Sequence, residues 1–222
     1  MKSIIILGTG GTCIDILDTL LDINRALGRE EYRCVGFLDD DPKNQGEEYS
    51  GVKVLGPLAS ALEYSDCRFV NGIGSPRNFW KKQDIIRNTG LADNTFETLI
   101  HPSAHVSKWA KVGSGSVIFA NATVSANTVI GQHVVVLPNS VVSHDCLIGD
   151  YVCIAGGVCL SGGVIVGRLS YLGTNASVID GATLGEFSMV GMGGVVLEDV
   201  AESTVVVGNP ARFLRVTQSE PV

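Results

Sequence analysis

The chain has 222 residues, of which 45% are hydrophobic, 18% charged and 6% aromatic, and it contains 27 glycines. This composition predicts a globular protein, and the net charge of −7 argues against nucleic acid as the main partner. No apolar run approaches the roughly 20 residues of a membrane helix, and the opening MKSIIILGTGG is too short and too broken by glycine for a signal peptide, so we predict a cytoplasmic protein without membrane insertion.

The first hundred residues alternate strand and helix signals. The apolar strand KSIIIL runs into a glycine-rich turn and then into a helical pattern whose apolar face is predicted to hold Ile14, Leu17, Leu20 and Leu21. Further strands are YRCVGFLDDD, GVKVLGP and CRFVNGIGS; a helix that opens at proline and closes at glycine is predicted for PRNFWKKQDIIRNTG, and TFETLIHP leads onward. The alternation predicts a Rossmann-like α/β domain over residues 1–100, with its ligand beyond the carboxyl ends of the parallel strands.

Three groups of residues fall at those carboxyl ends. They belong to the first turn, to the end of the second strand and to the turn after the last strand: Gly8, Gly10, Gly11, Asp39, Asp40, Gly72, Gly74, Ser75 and Arg77. The first turn departs from the dinucleotide fingerprint G-x-G-x-x-G, because Cys13 stands where the last glycine would let a helix pack closely on the sheet. This departure disfavours an NAD-linked oxidoreductase. The alternative that the glycine turn only joins strand to helix stays open.

From Val106 onward every sixth residue is aliphatic, through sixteen positions that end at Val196. A helix of period 3.6 cannot hold a period of six on one face, and a strand of period two needs no glycine or asparagine at fixed intervals. The spacing predicts short strands joined by tight turns. Three such hexads close one triangular coil of 18 residues with the aliphatic side chains inside.

This repeat, with the α/β unit before it, resembles the hexapeptide-repeat sugar acetyltransferases of the sialic-acid O-acetyltransferase and bacillosamine N-acetyltransferase (NeuD/PglD-like) family of bacterial surface-sugar enzymes. The resemblance implies a left-handed parallel β-helix over residues 101–222 and a homotrimer with active sites between neighbouring prisms. It also implies acetyl transfer from acetyl-CoA to the amino group of a nucleotide-linked amino sugar, with UDP favoured over GDP. In this reading Gly10 and Gly11 approach the phosphates. Asp39 and Asp40 bind the base or ribose, and the GIGSPR turn borders the sugar.

The stretch VVSHDCLIGDYVCIAGG places His144 and Asp145 at the third and fourth positions of a hexad, at or near a corner of the coil. Taken alone, such a pair is a solvated polar corner. In the resembled family a histidine followed by an acid at this place is the general base, and the resemblance implies that role for His144. Asp145 would then fix the tautomer of the imidazole.

Acetyl-CoA is expected in the groove between adjacent prisms. The resemblance implies that the Gly162 N–H donates to the oxyanion, although Gly162 could equally be a turn glycine that needs positive φ. Close relatives have a second histidine where this chain has Cys153, so an acetyl-CoA contact is altered here, and a thiol that takes up the acetyl group is a further alternative. The closing VVVGNPARFLR resembles the family's V-x-G-x-P-A-[KR] segment, although its arginines could also belong to a solvated tail. The predicted coenzyme contacts are Cys153, Gly162, Thr174, Asn175, Gly193, Gly194, Arg212 and Arg215.

The remaining histidines and the cysteines argue against a metal. His101, His105 and His133 are predicted to lie on turns, and their spacing does not fit the three-histidine zinc site of hydratases that share this fold. The six cysteines contain no C-x-x-C pair and are predicted to be mostly buried thiols. Two function classes remain: a sugar N-acetyltransferase, with O-acetyl transfer as its variant, and a nucleotide-binding solenoid that has lost the chemistry.

Overall fold

The front part of the chain is a twisted five-stranded sheet. A computed structural model describes residues 1–217 and gives this sheet the order β3-β4-β2-β1-β5. Its strands are β1 (Lys2–Leu7), β2 (Tyr32–Leu38), β3 (Glu48–Tyr49), β4 (Val52–Gly56) and β5 (Arg68–Asn71). Neighbouring strands are parallel except β3 and β4, which form an antiparallel hairpin.

The two α-helices of the front part cover opposite faces of this sheet. Helix α1 (Gly11–Leu27) packs with Ile4 and Ile6 of β1, whereas helix α2 (Lys82–Asn88) packs with Ile5 and Leu7. Because side chains alternate between the faces of a strand, the apolar run Ile4–Leu7 of β1 is buried on both faces between two layers. This arrangement confirms the predicted Rossmann-like α/β domain.

Helix α1 differs from its prediction in the position of its apolar face. Leu17 and Leu20 are buried as expected, but Leu21 is 51% exposed and Ile14 is only half-buried. The buried side chains follow the i, i+3, i+4, i+7 spacing from Cys13. The prediction used only the aliphatic residues and left out Cys13. The predicted face is therefore rotated toward solvent relative to the buried face.

The second predicted helix is shorter than its sequence signal. It begins as a 3₁₀ turn (Phe79–Lys81) that continues into α2, and residues 75–78 form a separate turn. Asn78 Oδ1 accepts hydrogen bonds from the Ser75 N–H at 2.7 Å and from the Ser75 hydroxyl at 2.9 Å. Asn78 has a φ of −152°, outside the helical range, so the turn that begins at the proline does not continue as a helix.

Residues 99–216 contain short strands that repeat along a solenoid. They are β6 (Leu99–Ile100), β7 (His105–Val106), β8 (Lys111–Val112), β9 (Val117–Ile118), β10 (Thr123–Val124), β11 (Val129–Ile130), β12 (Val135–Val136), β13 (Val141–Val142), β14 (Leu147–Ile148), β15 (Cys153–Ile154), β16 (Cys159–Leu160), β17 (Ile165–Val166), β18 (Tyr171–Leu172), β19 (Ser177–Val178), β20 (Thr183–Leu184), β21 (Met189–Val190), β22 (Val195–Val196), β23 (Thr204–Val207) and β24 (Arg212–Val216). The aliphatic residue of each predicted hexad is the second residue of one of the strands β7–β22. All of these aliphatic residues are buried except Val106 and Val112 at the open end, which are half-buried.

Strands 18 residues apart pair in parallel, as Thr123 with Val141 and Val141 with Cys159 show. They form three sheets: sheet I (β24-β23-β21-β18-β15-β12-β9-β6), sheet II (β22-β19-β16-β13-β10-β7) and sheet III (β20-β17-β14-β11-β8). The chain passes from I to II to III and back, so each turn lies on a I–II, II–III or III–I corner of a triangular prism. The predicted parallel β-helix is confirmed. Residues 218–222, the end of the predicted second domain, lie outside the described residues.

The front domain docks on sheet I. Leu99, Phe119 and Val135 of that sheet share a hydrophobic cluster with Ile16 and Leu20 of α1. Strand β6 already belongs to sheet I, so the solenoid ladder starts at Leu99. The shared cluster holds helix α1 and the front sheet against the coils that contain β6, β9 and β12.

Candidate active site

His144 and Asp145 project from a II–III corner, between β13 and β14. His144 Nδ1 lies 2.7 Å from Asp145 Oδ2, and the two side chains are 68% and 56% exposed. Asp145 Oδ1 also accepts from Asn127 Nδ2 at 3.0 Å, one coil below. The hydrogen bond from His144, followed by that from Asn127, lowers the pKa of the Asp145 carboxyl. With Nδ1–H directed at a carboxylate, Nε2 is left as the proton-accepting nitrogen of a neutral imidazole.

Gly162 lies directly against the His144 ring, one coil above it. A Cβ atom at Gly162 would be 2.6 Å from His144 Cε1 and 2.8 Å from Nε2. The alternative of a positive-φ turn glycine is wrong for Gly162, because the left-handed residue of this turn is Gly163, with φ 68°. A side chain at 162 would displace the imidazole from this position. Within residues 1–217 the Gly162 N–H donates to no backbone carbonyl, so it is available to a ligand.

The predicted nucleotide residues line one cavity of about 460 Å³ at the carboxyl edge of the front sheet. Eight of the nine meet there: Gly8, Gly10, Gly11, Asp39, Asp40, Gly72, Gly74 and Ser75. Arg77 does not belong to the lining; it is exposed on the turn, where its N–H donates to Ser75 Oγ at 3.2 Å. The amino end of α1 lies at the same cavity, and its free N–H groups suit a phosphate.

The two aspartates of this cavity are partly used by the protein. Asp39 accepts from Thr9 Oγ1 at 2.7 Å and from the Asp41 N–H at 2.8 Å. Asp40 accepts from the Leu58 N–H at 2.8 Å. A carboxylate has about four acceptor sites, so both retain acceptors for ribose or base hydroxyl and N–H groups. Thr9 was not among the predicted residues. It contributes by donating to Asp39, and this contact forms only because the ends of β1 and β2 lie side by side.

Close packing of α1 on the sheet is achieved without the fingerprint glycine. A Cβ atom at Gly72 would lie 2.5 Å from Cys13 Sγ and 3.0 Å from Cys13 Cα. The glycine that permits the close approach therefore belongs to β5's turn and not to the helix. The close packing that Cys13 put in doubt is present, because Gly72 supplies the space for the thiol.

A second cavity of about 130 Å³, here called the junction cavity, opens between the front domain and sheet I. It shares Thr12, Gly74 and Ser75 with the nucleotide cavity, so the two cavities adjoin at these residues. Cys153 lines it, is buried, and lies on sheet I, away from the I–II corner that holds the other predicted coenzyme contacts. The sequence shows no base beside Cys153, but the structure places Lys82 Nζ 3.7 Å from Cys153 Sγ.

The other predicted coenzyme residues lie toward the far end of the prism. Thr174, Asn175, Gly193 and Gly194 occupy successive turns of the I–II corner. Arg212 and Arg215 are exposed on β24, where their guanidinium groups donate to the carbonyls of Ala211 and Val216. No acidic partner holds either arginine within residues 1–217, so both are available to phosphate.

The remaining histidines occupy three different settings. His105 begins strand β7, so its predicted place on a turn is wrong. His101 Nε2 lies 2.9 Å from Asp22 Oδ2 and joins α1 to the solenoid. His133 lies on a III–I turn as predicted but is buried, because Phe96 and Tyr151 cover its ring.

Free thiols were predicted to be mostly buried. Cys13, Cys146 and Cys153 are buried and Cys159 is exposed; all are free. Within the described range, no cluster of three His, Cys, Asp or Glu side chains is arranged to hold a metal ion. The same 217 residues contain no helix with the length and apolar character that crossing a bilayer requires.

Two family models match separate parts of the chain. The PglD N-terminal domain matches residues 3–85, and the bacterial transferase hexapeptide (six repeats) matches residues 127–162. The curated UDP-N-acetylbacillosamine N-acetyltransferase of Bacillus subtilis (strain 168) is 34% identical over 126 residues. That alignment covers 54% of this chain and about half, 52%, of the relative.

Solved structures match nearly the whole chain. The acetyltransferase domain of PglB from Neisseria gonorrhoeae FA1090, in complex with acetyl coenzyme A, has a TM-score of 0.81 and 30% identity and covers 96% of this chain and 99% of that one. PerB from Caulobacter crescentus, in complex with CoA and GDP-perosamine, has a TM-score of 0.81 and 31% identity over 97% of this chain and 98% of that chain. These likenesses extend to both domains and confirm the left-handed β-helix fold.

Proposed function

Because the chain belongs to the NeuD/PglD-like family of hexapeptide-repeat sugar acetyltransferases, we propose that it acetylates the amino group of a nucleotide-linked amino sugar, UDP-linked in preference to GDP-linked. The observation that carries the proposal is the exposed His144–Asp145 pair with the free Gly162 N–H beside it. PerB binds CoA and GDP-perosamine, the PglB domain binds acetyl coenzyme A, and the Bacillus relative is a UDP-N-acetylbacillosamine N-acetyltransferase; these support the substrate class. We place the enzyme in the cytoplasm, where acetyl-CoA is available. We propose that it acts in the synthesis of surface polysaccharide.

His144 is the general base of this proposed reaction. The sugar amine attacks the thioester carbonyl carbon and forms the C–N bond, while His144 Nε2 takes the proton that the nitrogen loses. Asp145 stabilises the imidazolium that results. The Gly162 N–H donates to the oxygen that becomes negative, and collapse of the intermediate breaks the C–S bond and releases the CoA thiolate, which His144 can protonate.

We propose a homotrimer, which the distribution of these parts supports. His144 lies on a II–III corner, and neither the nucleotide cavity nor the junction cavity includes it in its lining. The outer face of sheet III beside it carries an exposed apolar column of Val129, Leu147 and Ile165, which pair in successive coils. We propose that a neighbouring prism covers this column and that the site is completed between two subunits.

The test is a free-thiol release assay across a panel of UDP- and GDP-linked amino and hydroxyl sugars, each with acetyl-CoA. We expect turnover with a UDP-amino sugar and a drop in kcat of roughly 10²- to 10⁴-fold in His144→Ala, with modest change in either KM. Turnover only with hydroxyl sugars would replace the proposal by O-acetyl transfer. Near-parental kcat in His144→Ala would remove the histidine from the mechanism, and no turnover with any sugar would favour a binding protein.

A further inference from the structure

A fully buried lysine lies between the two domains. Lys82, the first residue of α2, is 1% exposed. Its ammonium donates to the His133 carbonyl at 2.6 Å and to Cys153 Sγ at 3.7 Å. No carboxylate among residues 1–217 forms an ion pair with it. Burial lowers the pKa of this amine, and the contact with Cys153 opposes that shift.

A buried amine without a carboxylate is a costly way to fill space. A methionine of similar length would fill the same volume without desolvating a charge. The distinctive property of lysine is its three donors, which can hold acceptors from different elements in one place. The acceptors of Lys82 belong to the III–I corner and to β15, so the amine ties the front domain to two separate coils.

The contact continues from Cys153 to the turn that lines the substrate cavities. The Cys153 thiol donates to the Gly74 carbonyl at 3.9 Å. A Cβ atom at Gly74 would lie 2.9 Å from Cys153 Sγ and 3.4 Å from Lys82 Cδ, so the Gly74 backbone rests on both side chains. Gly74 lines the nucleotide cavity and the junction cavity. Its position therefore affects the shape of both cavities.

We propose that Lys82 is a positioning residue for the acetyl acceptor: acting through the Cys153 thiol and the Gly74 backbone, it fixes the turn at residues 72–75, which borders both the nucleotide cavity and the junction cavity. The proposal rests on the acetyl-acceptor function given above, since it is the sugar end of the substrate that passes this turn. Lys82 itself lines neither cavity. It acts on the substrate only through its two neighbours.

The experiment compares Lys82→Met, Cys153→Ala and the double variant in the full-length chain, with Lys81→Met as the control because Lys81 is the exposed lysine next to Lys82. Amide hydrogen exchange of the peptide that spans residues 72–78 is measured first. We expect exchange about tenfold faster in Lys82→Met and in Cys153→Ala, the effect of losing about one hydrogen bond to a charged group. The double variant is expected to exchange no faster than the faster single variant, because both changes break one chain of contacts.

The kinetic arm distinguishes positioning from a merely structural role. Lys82→Met is expected to raise the KM for the best sugar nucleotide of the panel about tenfold, while the KM for acetyl-CoA stays within about twofold. Unchanged exchange at residues 72–78, or faster exchange spread evenly over α2 and sheet I with both KM values unchanged, would overturn the proposal. If no sugar of the panel is turned over, the acetyltransferase proposal fails, and hydrogen exchange still decides the role of Lys82.

Discussion

We expect the buried His133 to make the free energy of unfolding depend on pH. The substitution His133→Phe is expected to remove this contribution. The residue is 1% exposed. Its ring packs edge to face with Phe96, with 4.6 Å between ring centroids, and stacks on Tyr151, with 5.3 Å between ring centroids. Neither ring nitrogen has a hydrogen-bond partner among the described residues. Burial, and then the charge of Lys82, lower the pKa of His133 to about 4. Phe187 takes a left-handed φ of 56° at the equivalent turn, close to the 54° of His133, so phenylalanine fits this backbone.

The magnitude follows from the difference between the folded and unfolded pKa. In the unfolded chain a histidine has a pKa of about 6.5, so below that pH the unfolded state binds a proton that the folded state, with its pKa of about 4, does not. The free energy of unfolding therefore falls as pH decreases from about 6.5 to about 4. The full loss is about 3 kcal/mol, of which about 2 kcal/mol occurs between pH 7.5 and pH 5.

The assay is urea unfolding at a fixed protomer concentration, followed by tryptophan fluorescence, which comes from Trp109 and from Trp80, whose ring centroid lies 5.2 Å from that of Phe79 near the domain junction. Between pH 7.5 and 5 the parent is expected to lose about 2 kcal/mol more than His133→Phe. The variant is expected to be at least as stable at pH 7.5, because two unpartnered buried nitrogens are removed. His105→Gln is the control, since His105 is exposed. Parallel losses in the parent and His133→Phe would refute the reasoning.

Three further outcomes test the site. Gly162→Ala is expected to lower kcat at least tenfold with little loss of stability, because its Cβ would displace the His144 ring; kinetics with parental kcat would contradict this. Asp39→Ala is expected to raise the KM for the sugar nucleotide about tenfold and to leave that for acetyl-CoA unchanged; equal effects on both would remove the nucleotide from the front cavity. Sedimentation equilibrium is expected to give three times the 23.4 kDa chain mass, and Leu147→Arg, on the exposed column of sheet III, to give monomers. A parent that sediments as a monomer would exclude the trimer.

The solenoid was predictable because one period decides both its local structure and its core. An aliphatic residue at every sixth position is incompatible with a helix and leaves each strand only two residues long, as the strands β7–β22 are. The same regularity placed His144 on a corner with its side chain outward. By contrast, the apolar face of α1 was misplaced at Leu21, since a short amphipathic pattern allows several neighbouring faces and Cys13 counts among the buried residues.

The missed features depend on contacts between residues far apart in the chain. Lys82 is hydrogen-bonded to partners 51 and 71 residues away, so its sequence context of charged and aromatic residues gives no sign of burial. His133 is covered by Phe96 from the segment that joins the two domains. A solvated turn was the natural expectation for its place in the hexad. Docking of the front domain on sheet I changes the surroundings of both residues without changing their secondary structure.

Stacking of the coils explains how an exposed corner can hold a base in a defined orientation. Asn127, Asp145 and Gly163 repeat at 18-residue intervals in the left-handed turn position, where φ is 62°, 61° and 68°. Asparagine and aspartate tolerate that conformation better than other side chains. The turn therefore favours an acid at 145, and stacking places the Asn127 amide below it and Gly162 against the neighbouring imidazole. The geometry that closes the coil thus orients His144 from both sides, so the proposed base needs no support from the buried core.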